Sequence, residues 1–304
     1  MNIKHIGKFL KDPVYRFHFF RAKGLYNKMP DREYLELVYL KTMGYPLNLD
    51  NPKTFNEKVQ WLKLYDRKPE YTQIVDKCEA KTFFAQRIDE KYIIPTIGVW
   101  DKFESIDFDK LPEQFVLKTT HDSGGVVICS SKKDFDIKAA KKKLCASLRQ
   151  NYYYGGREWP YKNVKPRILA ETYLNVLDDA GLLEFKLFCF DGEPKLILLC
   201  KGKAHAAGRT NDYFDMDYNH IPVSVAFPNA KETFEKPKEL DELIEIARKL
   251  SKGIPQVRVD TYVADGKIYV GEMTFYHESG MCMFQPREYD AEFGKLIKLP
   301  PKTT

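Results

Sequence analysis

The sequence predicts an α+β protein with a helical N-terminal region. Two observations carry this. Apolar residues at helical spacing fill roughly the first hundred of 304 residues. Beyond them, antiparallel hairpins alternate in blocks with helices, unlike the strict strand–helix alternation of a parallel doubly wound sheet.

Each element has its own signal. "PDREYLELVYLKTMGY" opens on a capping Asp31 and predicts helix from Tyr34 to Met43. In "NPKTFNEKVQWLKLYD", Thr54 can N-cap, and Phe55, Val59, Trp61, Leu62 and Leu64 crowd much of the helix circumference. "KCEAKTFFAQRIDEKY" is a third helix before the extended "IIPTIGVW". "FVLKTT", "HDSGG" and "VVICSS" read as strand, turn and strand, a hairpin from Phe115 to Ser130. "DFDIKAAKKKLCASLRQNYYYGG" is an amphipathic helix closed at Gly155 and Gly156. "RILAETYL" is a strand, and "LLEFKLFCFDGEPKLILLCKG" a hairpin turning at Asp191-Gly192. After a helix closed by Gly253, "VRVDTYVADGKIYVGEMTF" is a hairpin turning at Asp265-Gly266. The expected boundaries are a helical region 1–75, a connector with one helix 76–112, a smaller lobe 113–172 and a larger lobe 173–304.

The net charge is +6, and basic residues lie among acids along the chain, so no nucleic-acid partner is expected. The balance suits an anionic substrate such as a nucleotide or an acidic sugar. Six cysteines (78, 129, 145, 189, 200 and 282) lack CxxC spacing and read as free thiols in a reducing, cytoplasmic compartment. No segment has the apolar length of a signal peptide or a membrane span. Residues 1–26 mix Lys, Arg, Phe and Tyr at helical spacing. They suit a helix packed on the body better than one lying on a membrane surface.

The hairpins carry the chemistry. Lys118 stands in an apolar strand just before Ser123, Gly124 and Gly125. Glycines let backbone N–H groups approach an anion, and a strand lysine can reach the same phosphate. No P-loop pattern occurs, and a plain hairpin with a solvent-facing lysine is the alternative. Asp260 and Glu272 sit on paired strands, within reach of one point. Adjacent carboxylates repel unless a cation lies between them, and an oxygen-only site of this kind favours Mg²⁺. The alternative is a pair of rim carboxylates bridged to Arg258 and Lys267. Glu184 and Lys186 share one side of a strand by period two and suit ribose hydroxyls and phosphate; a cross-strand ion pair is the alternative. Glu171 and Leu174 close a strand where the chain could pass an adenine ring.

Taken in order, these residues resemble the ATP-grasp superfamily, which holds ATP between two α+β lobes. "FVLKTTHDSGGVV" is similar to its lysine strand and phosphate flap, "AETYL" to its adenine hinge, and "LEFKLF" to its ribose-binding strand. "RVD" followed by "GEMTF" is similar to its metal-binding strands, with Thr274 where the family has asparagine. The combination of "NPKTFNEKVQWLKLYD", "DK", "HDSGG" and "GEMTF" more narrowly resembles the TupA-like branch, associated with teichuronopeptide and capsular polysaccharide biosynthesis. The resemblance implies an ADP-forming carboxylate–amine ligase that uses ATP and one or two Mg²⁺ ions. Lys81 (with Lys77 as second choice), Lys118 and Lys186 would hold phosphates beneath a lid of residues 121–125. Glu171, Thr172 and Leu174 would meet adenine, and Glu184 the ribose. Asp260, Glu272 and Thr274 would hold metal, and Arg258 would stabilise the acyl phosphate and the oxyanion. Lys201, Lys203 and Arg209 are candidates for an acidic substrate or the γ-phosphate, with a solvated loop as the alternative. His121 and His277 are candidates for proton transfer, although a plain hydrogen-bonded histidine is the favoured reading of each. The implied partners are an amino acid and a uronate-containing glycan precursor, with peripheral association with membrane glycan machinery. The alternatives are a glycosyltransferase, for which "DMD" at 215–217 is a formal acid pair, a kinase on the same fold, and a non-catalytic nucleotide- or glycan-binding module, against which the full set of charged site residues argues.

Overall fold

The computed structural model describes residues 3–174, 183–202, 208–264 and 266–302. Helices α1 (Ile3–Lys11) and α2 (Pro13–Ala22) form a hairpin at Asp12. Its carboxylate accepts the Val14 and Tyr15 amides at 2.9 Å, and Pro13 starts α2 where no amide is needed. α3 (Asp31–Met43) follows, then α4 (Phe55–Tyr65), which opens on a full Thr54/Glu57 capping box. α5 (Glu70–Val75) and α6 (Glu79–Ala85) complete the helical half.

The smaller sheet is four-stranded and antiparallel, in the order β1-β4-β2-β3. It comprises β1 (Thr96–Trp100), β2 (Phe115–Thr119), β3 (Val126–Cys129) and, after α7 (Ile137–Leu148) and the short α8 (Tyr153–Gly156), β4 (Ile168–Thr172). One face of β2, with Phe115 and Leu117, packs with Ala140 and Leu144 of α7. β5 (Leu183–Phe190), β6 (Glu193–Lys201), β7 (Thr210–Phe214), β8 (His220–Ile221), β9 (Gln256–Ala264) and β10 (Lys267–Thr274) form a six-stranded antiparallel sheet. Its order is β10-β9-β5-β6-β7-β8. Apolar residues of α9 (Leu240–Ser251) cover β5, β6 and β9, and α10 (Glu288–Leu296) packs beside α4.

Two expectations need correction. The helix expected to run to Gly156 stops at Leu148, because the Asn151 side chain accepts the Tyr153 amide at 3.0 Å and starts a separate turn. The connector 76–112 is not outside the smaller lobe. Its extended piece pairs as β1 with β4, and Phe103, Ile106 and Leu111 belong to that lobe's core. The turn expected at Asp265 includes a residue outside the described ones. The six cysteines are free, with Cys78 and Cys145 the less buried. Among the described residues, no helix is long and apolar enough to cross a membrane.

Candidate active site between the two sheets

Period-two alternation buries Phe115, Leu117 and Thr119 and leaves Val116 and Lys118 on the opposite face of β2. The β4 register sets Leu169 opposite Lys118 and Glu171 opposite Val116, on that same face. Lys118 therefore reaches one Glu171 oxygen at 2.6 Å, and Lys81 of α6 reaches the other at 2.7 Å. Burial would push the Glu171 carboxyl up, but the two lysines outweigh it and hold it below its ordinary value. Burial also lowers the Lys81 ammonium against the pull of Glu171. The structure thus brings Lys81, Lys118 and Glu171 together, with Glu171 neutralising two lysines rather than standing free at the strand end. Thr172 lies exposed at that end and bonds Pro95, and Leu174 follows half-buried.

The glycine-rich turn is anchored more firmly than a lid spanning 121–125. His121 is buried, and its Nε2 faces the Ser147 and Gln150 carbonyls, so it is a strut rather than a proton carrier. Asp122 bonds the Thr119 and Ser147 hydroxyls, and Lys77 donates to the Asp122 carbonyl. Lys77 is thereby a flap support, not a phosphate ligand. At Gly125 a Cβ would stand 1.7 Å from Thr119 Oγ1, so only glycine lets the chain close over this knot. Ser123 and Gly124 are the exposed tip.

The larger sheet carries a second charged cluster on one of its faces. Its register pairs Lys186 with Asp260, Asp260 with Glu272, and Arg258 with Thr274. Residues paired across antiparallel strands share a face, so these side chains converge although they come from three strands. A bulge between Val270 and Glu272 contains Gly271, where a Cβ would lie 2.6 Å from the Tyr262 ring. Arg258 forks onto Asp260, with Nε to Oδ1 at 2.6 Å and Nη2 to Oδ2 at 2.7 Å, and Lys186 reaches Oδ2 at 2.7 Å. Burial pushes the Asp260 carboxyl up, yet Arg258 and Lys186 hold it down at about 2. Lys186 also lies 3.4 Å from Glu184, which Arg209 engages at 2.9 Å. Arg209 thus belongs to this network, whereas Lys201 pairs with Glu232 on the surface, and Lys203 lies outside the described residues.

His277 is buried beside Arg258. Its Nδ1 accepts from the guanidinium, so its Nε2 carries the proton and donates to the Tyr213 hydroxyl at 3.2 Å. Burial, reinforced by Arg258, holds its pKa well below the ordinary value. His277 is therefore a neutral acceptor that orients Arg258, the hydrogen-bonded reading of this residue. Register sets Thr274 opposite Arg258, and its hydroxyl accepts from Arg258 Nη2 at 3.1 Å. The Asp215 carboxylate of "DMD" accepts from Asn219 and from the Asp217 and Asn219 amides, so this acid pair caps a turn.

Among the described residues, no group of three or more His, Cys, Asp and Glu is poised to hold a metal alone. Glu272 is half-exposed and accepts no hydrogen bond among those residues, and it stands beside an ionised Asp260. This hard-oxygen pair fits Mg²⁺ when phosphate and water complete the shell. Asp260 would share its oxygens with Arg258 and Lys186.

Sequence reasoning missed several neighbours. Register sets Tyr262 opposite Glu184, and burial, reinforced by Glu184, Glu272 and Asp260, holds its phenol well above the ordinary value. The Tyr152 ring meets Tyr161, with centroids 4.8 Å apart. Burial, reinforced by Glu158 and Glu272, holds the Tyr161 phenol well above its ordinary value. The "NYYY" run hid this wall inside a helix reading.

A cleft with a glycine-rich hairpin on one side and an Arg-x-Asp strand paired to a glutamate on the other is the arrangement of the ATP-grasp class. Within that class, the chain belongs to the TupA-like ATP-grasp family, whose model matches residues 57–298. Among solved structures, the chain is similar to a D-alanine–D-alanine ligase from Bacillus anthracis complexed with ATP. There the identity is 22%, over 66% of this chain and 55% of that one, with a TM-score of 0.39. A second structure of that ligase gives 22% identity, 66% and 57% coverage, and a TM-score of 0.40. The ATP-grasp ligase PsnB complexed with minimal precursor gives 10% identity, 76% and 59% coverage, and a TM-score of 0.39. The chain therefore spans between 55% and 59% of the length of these structures. No curated protein matches.

Proposed function

We propose that this protein is an ATP- and Mg²⁺-dependent carboxylate–amine ligase acting on a precursor of a bacterial surface polysaccharide. The observation that carries the reading is that the smaller sheet sets Lys81 and Lys118 on Glu171, while the larger sheet sets Lys186 and Arg258 on Asp260. A substrate carboxylate oxygen would attack the γ-phosphorus of ATP, the bond to the ADP oxygen would break, and an acyl phosphate would form. An amine would then attack the acyl carbon, form the C–N bond and expel phosphate. A bound divalent ion would offset the charge of the phosphate oxygens, held by Asp260 and Glu272.

The chain's own groups supply the rest. On nucleotide binding, Lys81 and Lys118 would exchange Glu171 for phosphate oxygens. Lys186 would hold charge between Asp260 and the transferred group. Arg258, fixed from one side by His277 and from another by Asp260, presents a preorganised cation for the acyl phosphate and the tetrahedral oxyanion. The Ser123–Gly124 tip would exclude water from the activated acyl group. TupA-like membership supports a glycan acceptor, either a uronate receiving an amino acid or a growing glutamate chain.

The test incubates the protein with ATP, Mg²⁺, a panel of amino acids and uronate-bearing acceptors. Phosphate and ADP released only when both an amine and an acceptor are present is the expected result. Release of the sugar from a UDP-sugar, or a stable phosphorylated product without amine, would replace this reading by a glycosyltransferase or a kinase.

A further inference from the structure

The chain's positive charge is concentrated at one end of the molecule. Residues 1–28 hold seven Lys and Arg (positions 4, 8, 11, 16, 21, 23 and 28) against one acid, Asp12. The rest of the chain has 42 basic and 42 acidic residues, so the whole net charge of +6 resides in this segment. Asp12 is occupied as the cap of α2. Among the described residues, none of Lys8, Lys11, Arg16, Arg21, Lys23 and Lys28 forms an ion pair. Just downstream, by contrast, Arg32 pairs with Glu36 and Asp50.

These cations sit on a defined scaffold. Arg16 donates to the Phe9 and Leu10 carbonyls at 3.1 and 2.8 Å, which ties the end of α1 to α2. The edge-on contacts of Phe9 with Phe19 and Phe20 do the same. Buried Phe17 seats α2 on Tyr34, Leu35 and Val38 of α3. That contact uses one side of the hairpin. Elsewhere Leu10 is 70% exposed and Leu25 66%, and Val14 and Phe20 are also exposed. The family match begins at residue 57, downstream of the hairpin.

We propose that the α1–α2 hairpin docks the protein on the anionic surface of a phospholipid bilayer. Unpaired Lys and Arg meet lipid phosphates, while Leu10, Val14, Phe20 and Leu25 enter the headgroup–acyl boundary. Charge alone would equally fit a nucleic acid or an acidic glycan. A polyanion in water gives no use to leucines exposed in the same segment, whereas a bilayer interface uses both. Phe17 on α3 accounts for the expected packing on the body, and the remaining faces serve the membrane. The inference does not depend on the proposed reaction. It would place the cleft near substrates carried on lipid.

The test is co-sedimentation of the full chain with phosphatidylcholine vesicles and with vesicles that also contain phosphatidylglycerol. Binding to the anionic vesicles alone, weakened by salt, is expected. K8E/K11E/K23E should lower the partition coefficient on the order of a hundredfold, and L10S/L25S about tenfold. Both variants should retain wild-type thermal unfolding and ATP binding. No binding to either vesicle, equal binding to both, or wild-type binding by either variant would overturn the proposal. Loss with the charge variant but not with L10S/L25S, together with displacement by duplex DNA or an acidic polysaccharide, would reassign the surface to a soluble polyanion.

Discussion

At the residue scale, Asp260 holds together two buried cations, and removing its charge should show in two measurements. Asp260→Asn keeps the shape but leaves Arg258 and Lys186 without an anion between them, a loss of about 3 kcal/mol or more for a buried partner. ATP-dependent turnover should fall at least about a hundredfold, while circular dichroism still reports a folded chain. The sign of the pH effect follows from a folded pKa of about 2 against an ordinary 3.8. A depressed carboxyl contributes stability above its unfolded pKa and loses it as pH falls through the folded value. The stability gap between wild type and Asp260→Asn should thus narrow by about 2 kcal/mol between pH 4 and pH 2, read from urea unfolding. A constant gap across that window would contradict the assignment. Across the cleft, Lys118→Ala should weaken ATP binding about tenfold or more in calorimetry, with little change in melting temperature, because Lys81 still neutralises Glu171. Unchanged affinity would remove Lys118 from the nucleotide site.

At the element scale, the flap contrasts two adjacent glycines. Gly124 has φ +99 and open space around its Cβ position, whereas a Cβ at Gly125 would stand 1.7 Å from the Thr119 hydroxyl. Gly124→Ala should cost only the backbone strain of that conformation, about 1 kcal/mol. Gly125→Ala must also displace the Thr119–Asp122–Ser147 knot, for about 2–4 kcal/mol in all. It should speed amide exchange in residues 119–126 beyond what Gly124→Ala does. Equal exchange in the two variants would show that the knot does not order the turn. This contrast separates what the sequence disclosed from what it hid. "HDSGG" between two apolar strands announced a tight turn, because glycine, Asp and Ser are local signals. Nothing local said that Asp122 bonds Ser147, which lies on a helix 25 residues away. Likewise, period two put Lys186 and Asp260 on usable faces, but the Arg258–Thr274 pairing depends on a bulge visible only in the register. His121 and His277 were legible as neighbours of the site, but their particular roles, a strut and an acceptor respectively, were not, since those depend on which carbonyl or guanidinium faces each ring.

At the scale of the whole molecule, α4 connects the helical half to the site. Its apolar residues crowd the circumference, a pattern that left Lys63 no exposed face, and the structure buries Lys63 completely. Its ammonium donates to the Gly156 carbonyl and to the Ser279 carbonyl and hydroxyl, each at 2.8 Å. Gln60 adds bonds to the Ser279 and Gly280 carbonyls at 2.8 and 2.7 Å. Both residues thus fix the 277–280 turn that presents His277 to Arg258. Burial brings the Lys63 pKa down from 10.5 to about 8, against the pull of buried Glu158, whose own carboxyl burial pushes up. A lysine with a lowered folded pKa binds fewer protons folded than unfolded between those two values, so folding becomes more favourable as pH rises from 8 towards 10.5. Lys63→Met removes this dependence and leaves Glu158 and three acceptors unpaired, a cost of about 3 kcal/mol or more at neutral pH. Adding Glu158→Gln should recover part of that cost by deleting the uncompensated charge. Measured by urea unfolding, wild type should therefore gain on the order of 3 kcal/mol over Lys63→Met between pH 8 and 10.5. Parallel pH profiles for the two proteins would mean that the ammonium is solvated and that α4 does not hold the turn through it. If the strut is real, Lys63→Met should also lower kcat more than it raises the KM for ATP, because it loosens the support of Arg258 and leaves the lysines of the smaller sheet in place.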